Sequence, residues 1–183
     1  MSRTWDGVSV VGGTYEEGWS ADEAVTRLFA AHYRGLVRLA ALLLADRAVA
    51  EELVQDAYVH LHQSWGRLRD PHKALAYLRA SVVNAARSAQ RRRGVADRYV
   101  ANLPPPRDAP SAEFGALGAL EHAAVIAALR SLPTRQREAL VLRYYLDLSE
   151  SDIAETMGIS RGAVKSHAAR GIAALRTTLE AER

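Results

Sequence analysis

Apolar residues in this chain recur at intervals of three and four, and almost nowhere do they alternate as a half-buried strand would require. From Asp22 the positions Leu28, Phe29, Tyr33, Leu36, Val37, Ala40, Leu43 and Leu44 fall on one wide helical face, which needs a core to cover it. Asp46 can cap a second helix over about 48–65, with Ala50, Leu53, Val54, Ala57, Leu61 and Trp65 turned inward. Asp70, followed by Pro71 at the first helical position, opens a third helix. Leu75, Leu78, Val82, Ala85, Ala86 and Ala89 form its buried stripe, and Gly94 is expected to end it. The pattern then dissolves. Over 95–110, Pro104, Pro105, Pro106 and Pro110 forbid a helix and favour an extended linker. Ser111 is expected to open a fourth helix through Phe114, Leu117, Leu120, Val125 and Leu129. Pro133 starts a fifth, whose Leu140, Val141, Tyr144 and Tyr145 would pack beneath the motif that follows.

That motif, LSESDIAETMGISRGAVKSHAARG at 148–171, specifies two short helices at an angle, a helix-turn-helix. Ser149 can cap the first helix with Asp152 as its partner, and Ile153, Ala154 and Met157 give it an apolar face. Gly158 supplies the turn, Ile159 plugs the angle, and Ser160 caps a second helix buried through Val164 and Ala168. Beyond the capping Ser160, the outer face is assigned Arg161, Lys165, Ser166, His167 and Arg170. These are donors without a single carboxylate, suited to phosphates and base edges in a major groove. Ile172, Leu175 and Leu179 continue the buried stripe toward the C-terminus.

The whole chain of 183 residues therefore reads as all-α, with two small helical domains at 21–94 and 111–183, a Pro-rich linker at 95–110, and a tail at 1–20 without period that is expected to be disordered. The absence of cysteine removes disulfides and thiolate metal sites and fits a reducing cytoplasm. No apolar run reaches the roughly 18 residues of a membrane span, so no membrane insertion is expected. The six histidines are scattered, and no phosphate-cradling glycine loop, nucleophile elbow or paired carboxylates stand out. The expectation is a protein without cofactor, metal or catalytic activity. A net charge of +3 is modest, so the distribution carries the argument. The third helix turns abruptly basic through Arg87, Arg91, Arg92 and Arg93, more than helix-end dipole chemistry requires, which points to a polyanion. The second helix carries Glu51, Glu52, Gln55 and Asp56 outside, readable either as helix-end chemistry or as a protein-docking face.

Three blocks in this order, AEELVQDAYVHLHQSW, AYLRASVVNAARSAQRRR and SLPTRQREALVLRYYLDLSESDIAETMGISRGAVKSHAARGIAALR, resemble the extracytoplasmic-function RNA polymerase sigma factors, particularly the actinobacterial type. The resemblance implies a region 2 helical bundle and a region 4 helix-turn-helix. It implies that Glu52, Leu53, Val54, Gln55 and Asp56 dock on the clamp helices of the polymerase's largest subunit. It places Asn84 at an exposed base of the melted minus-ten element, with Arg87, Arg91, Arg92 and Arg93 on the phosphates. The second domain would read the minus-thirty-five duplex and pack on the flap of the second-largest subunit. An anti-sigma factor is a common partner in the family, without a residue here that identifies one. Tyr77, Ser88 and His167 depart from the family's frequent tryptophan, aspartate and arginine; the last weakens phosphate attraction, since a neutral histidine carries no charge. Two other readings of the same residues are a stand-alone regulator that binds DNA without polymerase and a non-catalytic interaction scaffold.

Overall fold

The structure, a computed structural model, describes residues 20–44, 46–68, 70–99 and 116–181, with 93–99 and 116–123 as backbone only. Seven α-helices account for most of the described residues: α1 (Ala21–Leu44), α2 (Arg47–Ser64), α3 (Ala74–Tyr99), α4 (Ala116–Ser131), α5 (Thr134–Leu140), α6 (Glu150–Met157) and α7 (Arg161–Ala181). Among these residues there is no strand. The 1–20 tail, the linker prolines and the expected start at Ser111 lie outside the described residues, apart from Ser20.

The first three helix starts follow from a local acceptor. Ser20 and Glu23 form a reciprocal box, the Ser20 Oγ accepting from the Glu23 amide at 3.3 Å and the Glu23 carboxylate accepting from the Ser20 amide at 3.0 Å. Asp46 accepts from the Val49 amide at 3.1 Å to start α2. Asp70 accepts from the His72 amide at 3.0 Å, opening a 3₁₀ turn at Pro71–Lys73 that leads into α3. Gly94 does not end α3, which continues to Tyr99. A lone interior glycine costs only about 0.5–1 kcal/mol against alanine, too little to break a helix by itself.

Helices α1, α2 and α3 pack around Leu28, Leu39, Leu43, Val54, Leu61, Leu78, Val82 and Val83, and α5, α6 and α7 around Leu140, Leu142, Ile153, Met157 and Val164. The buried side chains form one continuous cluster across both halves. Two expected core positions fall elsewhere. Phe29 is exposed and stacks on Tyr33 with ring centroids 4.3 Å apart. Tyr144 is 58 % exposed, while Tyr145 stays half-buried against the core and its hydroxyl donates to the Gly35 carbonyl of α1 at 3.4 Å. Both tyrosines close the π-helical turn at Val141–Tyr145, whose wider winding departs from the 3.6-residue period on which the expectation rests.

The halves meet through polar groups set in this apolar surround. Glu138 of α5 is 1 % exposed, and its carboxylate accepts from Arg87 Nε and Nη2 of α3, both at 2.9 Å. Arg135 adds a third contact at 3.4 Å. The Leu43 carbonyl, at the end of α1, accepts from Gln90 Nε2 and from Arg137 Nη1, both at 2.6 Å. Arg137 also donates to the Arg130 and Leu132 carbonyls, and Thr134 donates to Gln90. Burial, and then the Arg130 charge, lower the Arg137 pKa from its ordinary value, with Glu138 opposing.

Two consequences are measurable. Glu138→Ala leaves Arg87 facing an apolar junction without its carboxylate and should cost about 3–5 kcal/mol in denaturant unfolding; a loss below about 1 kcal/mol, the scale of an exposed pair, would contradict this account. Burial, and secondarily Arg79, hold the His32 pKa below its ordinary value. The unfolded chain therefore takes up this proton first as pH falls through about 6.5, and the folded state loses stability from there downward until His32 itself titrates. Tm measured between neutral pH and about pH 5 should fall less steeply for His32→Gln than for the parent.

Candidate nucleic-acid interface

The helix-turn-helix is fixed by a serine cap at the start of each helix and by the closure of the turn between them. The Ser149 Oγ accepts from the Asp152 amide at 3.1 Å and donates to the Asp152 carboxylate at 2.7 Å, closing the first turn of α6. Gly158 takes the left-handed conformation, φ 65° and ψ 42°, which a side chain would resist. The Ile159 amide then reaches back to the Ala154 carbonyl at 3.1 Å, as in a Schellman closure. The Ser160 Oγ accepts from the Ala163 amide at 3.2 Å and starts α7. The buried faces are Ile153, Thr156 and Met157 on α6 and Val164, Ala168 and Gly171 on α7. Gly171 sits so close to α5 that a Cβ there would lie 3.0 Å from Leu140 Cδ1 and 3.3 Å from Gln136 Cβ.

This packing leaves Arg161, Lys165, Ser166 and Arg170 on the exposed face of α7, with Ser160 exposed at its start. Arg170 Nε donates to the Ser166 carbonyl at 3.2 Å, which holds its guanidinium along the helix. His167 does not share that face. It is half-buried, and its Nδ1 is buried without a hydrogen-bond partner among the described residues. The spacing explains why: His167 is three residues after Val164 and four before Gly171, on the buried stripe. Two residues that the outer-face pattern did not select join the cluster. The Glu150 carboxylate lies 3.3 Å from Arg143 and 3.5 Å from Lys165, linking the π turn, α6 and α7. No short-range pattern announces that link.

The basic end of α3 is only partly available. Asn84, Arg91 and Arg92 are exposed, and Arg91 donates to the Ser88 hydroxyl at 3.2 Å. Arg87 is half-buried, engaged by Glu138 and by the Asn84 amide oxygen at 3.0 Å. The Arg93 side chain lies outside the described residues. On α2, Glu52, Gln55 and Asp56 face outward and Leu53 is half-buried, but Val54 is 0 % exposed. Val54 therefore belongs to the core and not to a docking face, because the i, i+3, i+4 period points it between α1 and α3. An open groove of about 230 Å³ separates the outward acids of α2 from the bases of α3, with Asp56 and His60 on one wall and Ser88 and Arg92 on the other.

Among the described residues no group of three or more histidine, cysteine, aspartate or glutamate side chains is placed to hold a metal ion, and no helix is long and apolar enough to cross a membrane.

Comparison with known proteins places both halves. Residues 28–95 match the family described as sigma-70 region 2, and residues 122–175 match sigma-70 region 4. The chain is 32 % identical over 145 residues to the RNA polymerase sigma-E factor of Streptomyces avermitilis, covering 79 % of each protein. It is 32 % identical over 153 residues to the ECF RNA polymerase sigma factor SigM of Mycobacterium tuberculosis, covering 83 % of this chain and 75 % of that one. In fold it is similar to the sigma factor RpoE solved with the anti-sigma factor NepR from Bartonella quintana, with a TM-score of 0.71, 24 % identity, and 86 % and 98 % of the two chains covered. It is also similar to CnrH solved with the cytosolic domain of CnrY, with a TM-score of 0.65, 23 % identity, and 89 % and 96 % covered. With both regions matched in order and relatives of this identity over most of its length, the chain belongs to the extracytoplasmic-function group of the sigma-70 family of RNA polymerase sigma factors.

Proposed function

We propose that this sigma factor binds core RNA polymerase in the cytoplasm, reads the minus-thirty-five element as duplex through α7, and engages the minus-ten element through the basic end of α3 as the strands part. It performs no covalent chemistry in this reading. The observation that carries it is the exposed face of α7, where Arg161, Lys165, Ser166 and Arg170 stand together on a helix fixed by the Gly158 turn. Two units, one closing with α3 and the other opening with α4, divide the work. On α3, Asn84 meets an unstacked base while Arg91 and Arg92, with Arg93 following, neutralise phosphates. Arg87 can join them only by leaving Glu138. On α2, Glu52, Gln55, Asp56 and the half-exposed Leu53 form the face for the polymerase's largest subunit, and the second unit packs on the flap of the second-largest. An anti-sigma factor is a further partner, supported by the fold shared with the RpoE–NepR complex.

Run-off transcription with purified core enzyme on a fragmented genomic library tests the whole reading. Defined start sites should arise only when the chain is added, and tight sequence-specific binding by the free chain with no core association would replace this reading with a stand-alone regulator. Arg161→Ala or Lys165→Ala should weaken use of the recovered promoter by about 1–3 kcal/mol where the residue reads a base, and by less, equally for all sequences, where it holds phosphate. Gln55→Ala and Asp56→Ala should weaken core binding in a pull-down or fluorescence titration while Tm stays unchanged; unaltered core affinity would remove the α2 face from the interface.

A further inference from the structure

Glu150 is the first residue of α6, yet its carboxylate is not spent on the helix end. Ser149 and Asp152 already serve that first turn. Only 27 % of the Glu150 side chain is exposed, and its two oxygens divide between cations from different segments, Oε1 toward Arg143 Nη1 of the π turn at 3.3 Å and Oε2 toward Lys165 Nζ of α7 at 3.5 Å. Lys165 lies one helical turn beyond Arg161 on the exposed face of α7, with its side chain 63 % exposed.

We propose that Glu150 is a positioning and specificity-determining residue, tethering the Lys165 ammonium so that α7 discriminates between minus-thirty-five sequences. The inference rests on the reading of α7 as the duplex reader. A free lysine is a strongly hydrated point charge on a flexible stem, and it meets any nearby phosphate regardless of sequence. Anchored on one side by a carboxylate, the ammonium keeps fewer orientations and presents its remaining protons in a fixed direction. The same carboxylate repels phosphates that approach in a wrong register, so it opposes non-specific binding while the correct site retains its contacts. Arg143 completes the arrangement by holding the other oxygen, which stops the carboxylate from following Lys165 as it moves.

The test uses the full chain assembled with core polymerase, on the promoter recovered from the library and on the same promoter with its minus-thirty-five element scrambled. The readout is the ratio of transcription from the two. Glu150→Gln should raise use of the scrambled template and lower the ratio roughly two- to fivefold, the scale of an exposed ion pair, with Tm unchanged. Glu150→Asp, which keeps the charge, should restore part of the ratio. If Glu150→Gln raises both templates equally and leaves the ratio intact, the carboxylate is only a repulsive charge and the inference fails. A fall in ratio that tracks a fall in Tm, with no rescue by aspartate, assigns Glu150 to the folding of α6 and also overturns it. A parent enzyme that does not distinguish the two templates, or an Arg161→Ala variant that uses both as the parent does, overturns instead the reading of α7 and takes this inference with it.

Discussion

A carboxylate removed from water must find cations, and Glu138 finds Arg87 through two parallel hydrogen bonds and Arg135 through a third contact. The arrangement of the two halves depends on that requirement. Arg87 comes from α3 and Glu138 from α5, so the pair can form only when the two halves lie against one another. The continuous apolar cluster favours contact in general, but apolar surfaces tolerate sliding. A bidentate pair fixes the register of α3 against α5 because its geometry allows little displacement.

The end of α1 shows the same logic with neutral groups. The last carbonyls of a helix have no partner within it, and Leu43 would face the junction unsatisfied. Gln90 and Arg137 both donate to it, one from each half. Thr134 then ties Gln90 to the start of α5. Arg137 bears a lowered pKa for its burial and is held by backbone carbonyls, which makes it a structural cation and distinguishes it from the solvated arginines of α7.

Local chemistry was legible in the sequence because local residues enforce it. Ser149, Gly158 and Ser160 act within a few positions of themselves, and Asp46 and Asp70 begin helices where their types and spacing place them. The group to which the chain belongs was legible from motif order. Contacts made at long range were not. Arg87 and Glu138 are 51 positions apart, and nothing near either residue marks the other as its partner. Val54 satisfied two patterns at once, a docking motif and a core period, and burial decided for the core. His167 was open to a spacing argument that places it on the buried stripe, since Val164, Ala168 and Gly171 all share that side. The exposed Tyr144 had no such signal, because a π turn changes the period on which the reading depends.

The close approach at Gly171 bears on how the reading face is aimed. Helix α7 runs for 21 residues, and Gly171 lies ten positions, about 15 Å, from Arg161. The helix is thus a lever resting on α5 near its middle, with the end that bears Arg161 and Lys165 as one arm. A methyl group at the fulcrum would meet Leu140 Cδ1 at 3.0 Å and Gln136 Cβ at 3.3 Å, so the seat on α5 would have to give by a few tenths of an ångström. Because the arm is rigid, the displacement produced by a tilt there would grow along its length and be largest at the cations of the first turns. The direction in which those cations point is therefore set partly by a hydrogen atom in the interior, ten residues away from the exposed start of the helix.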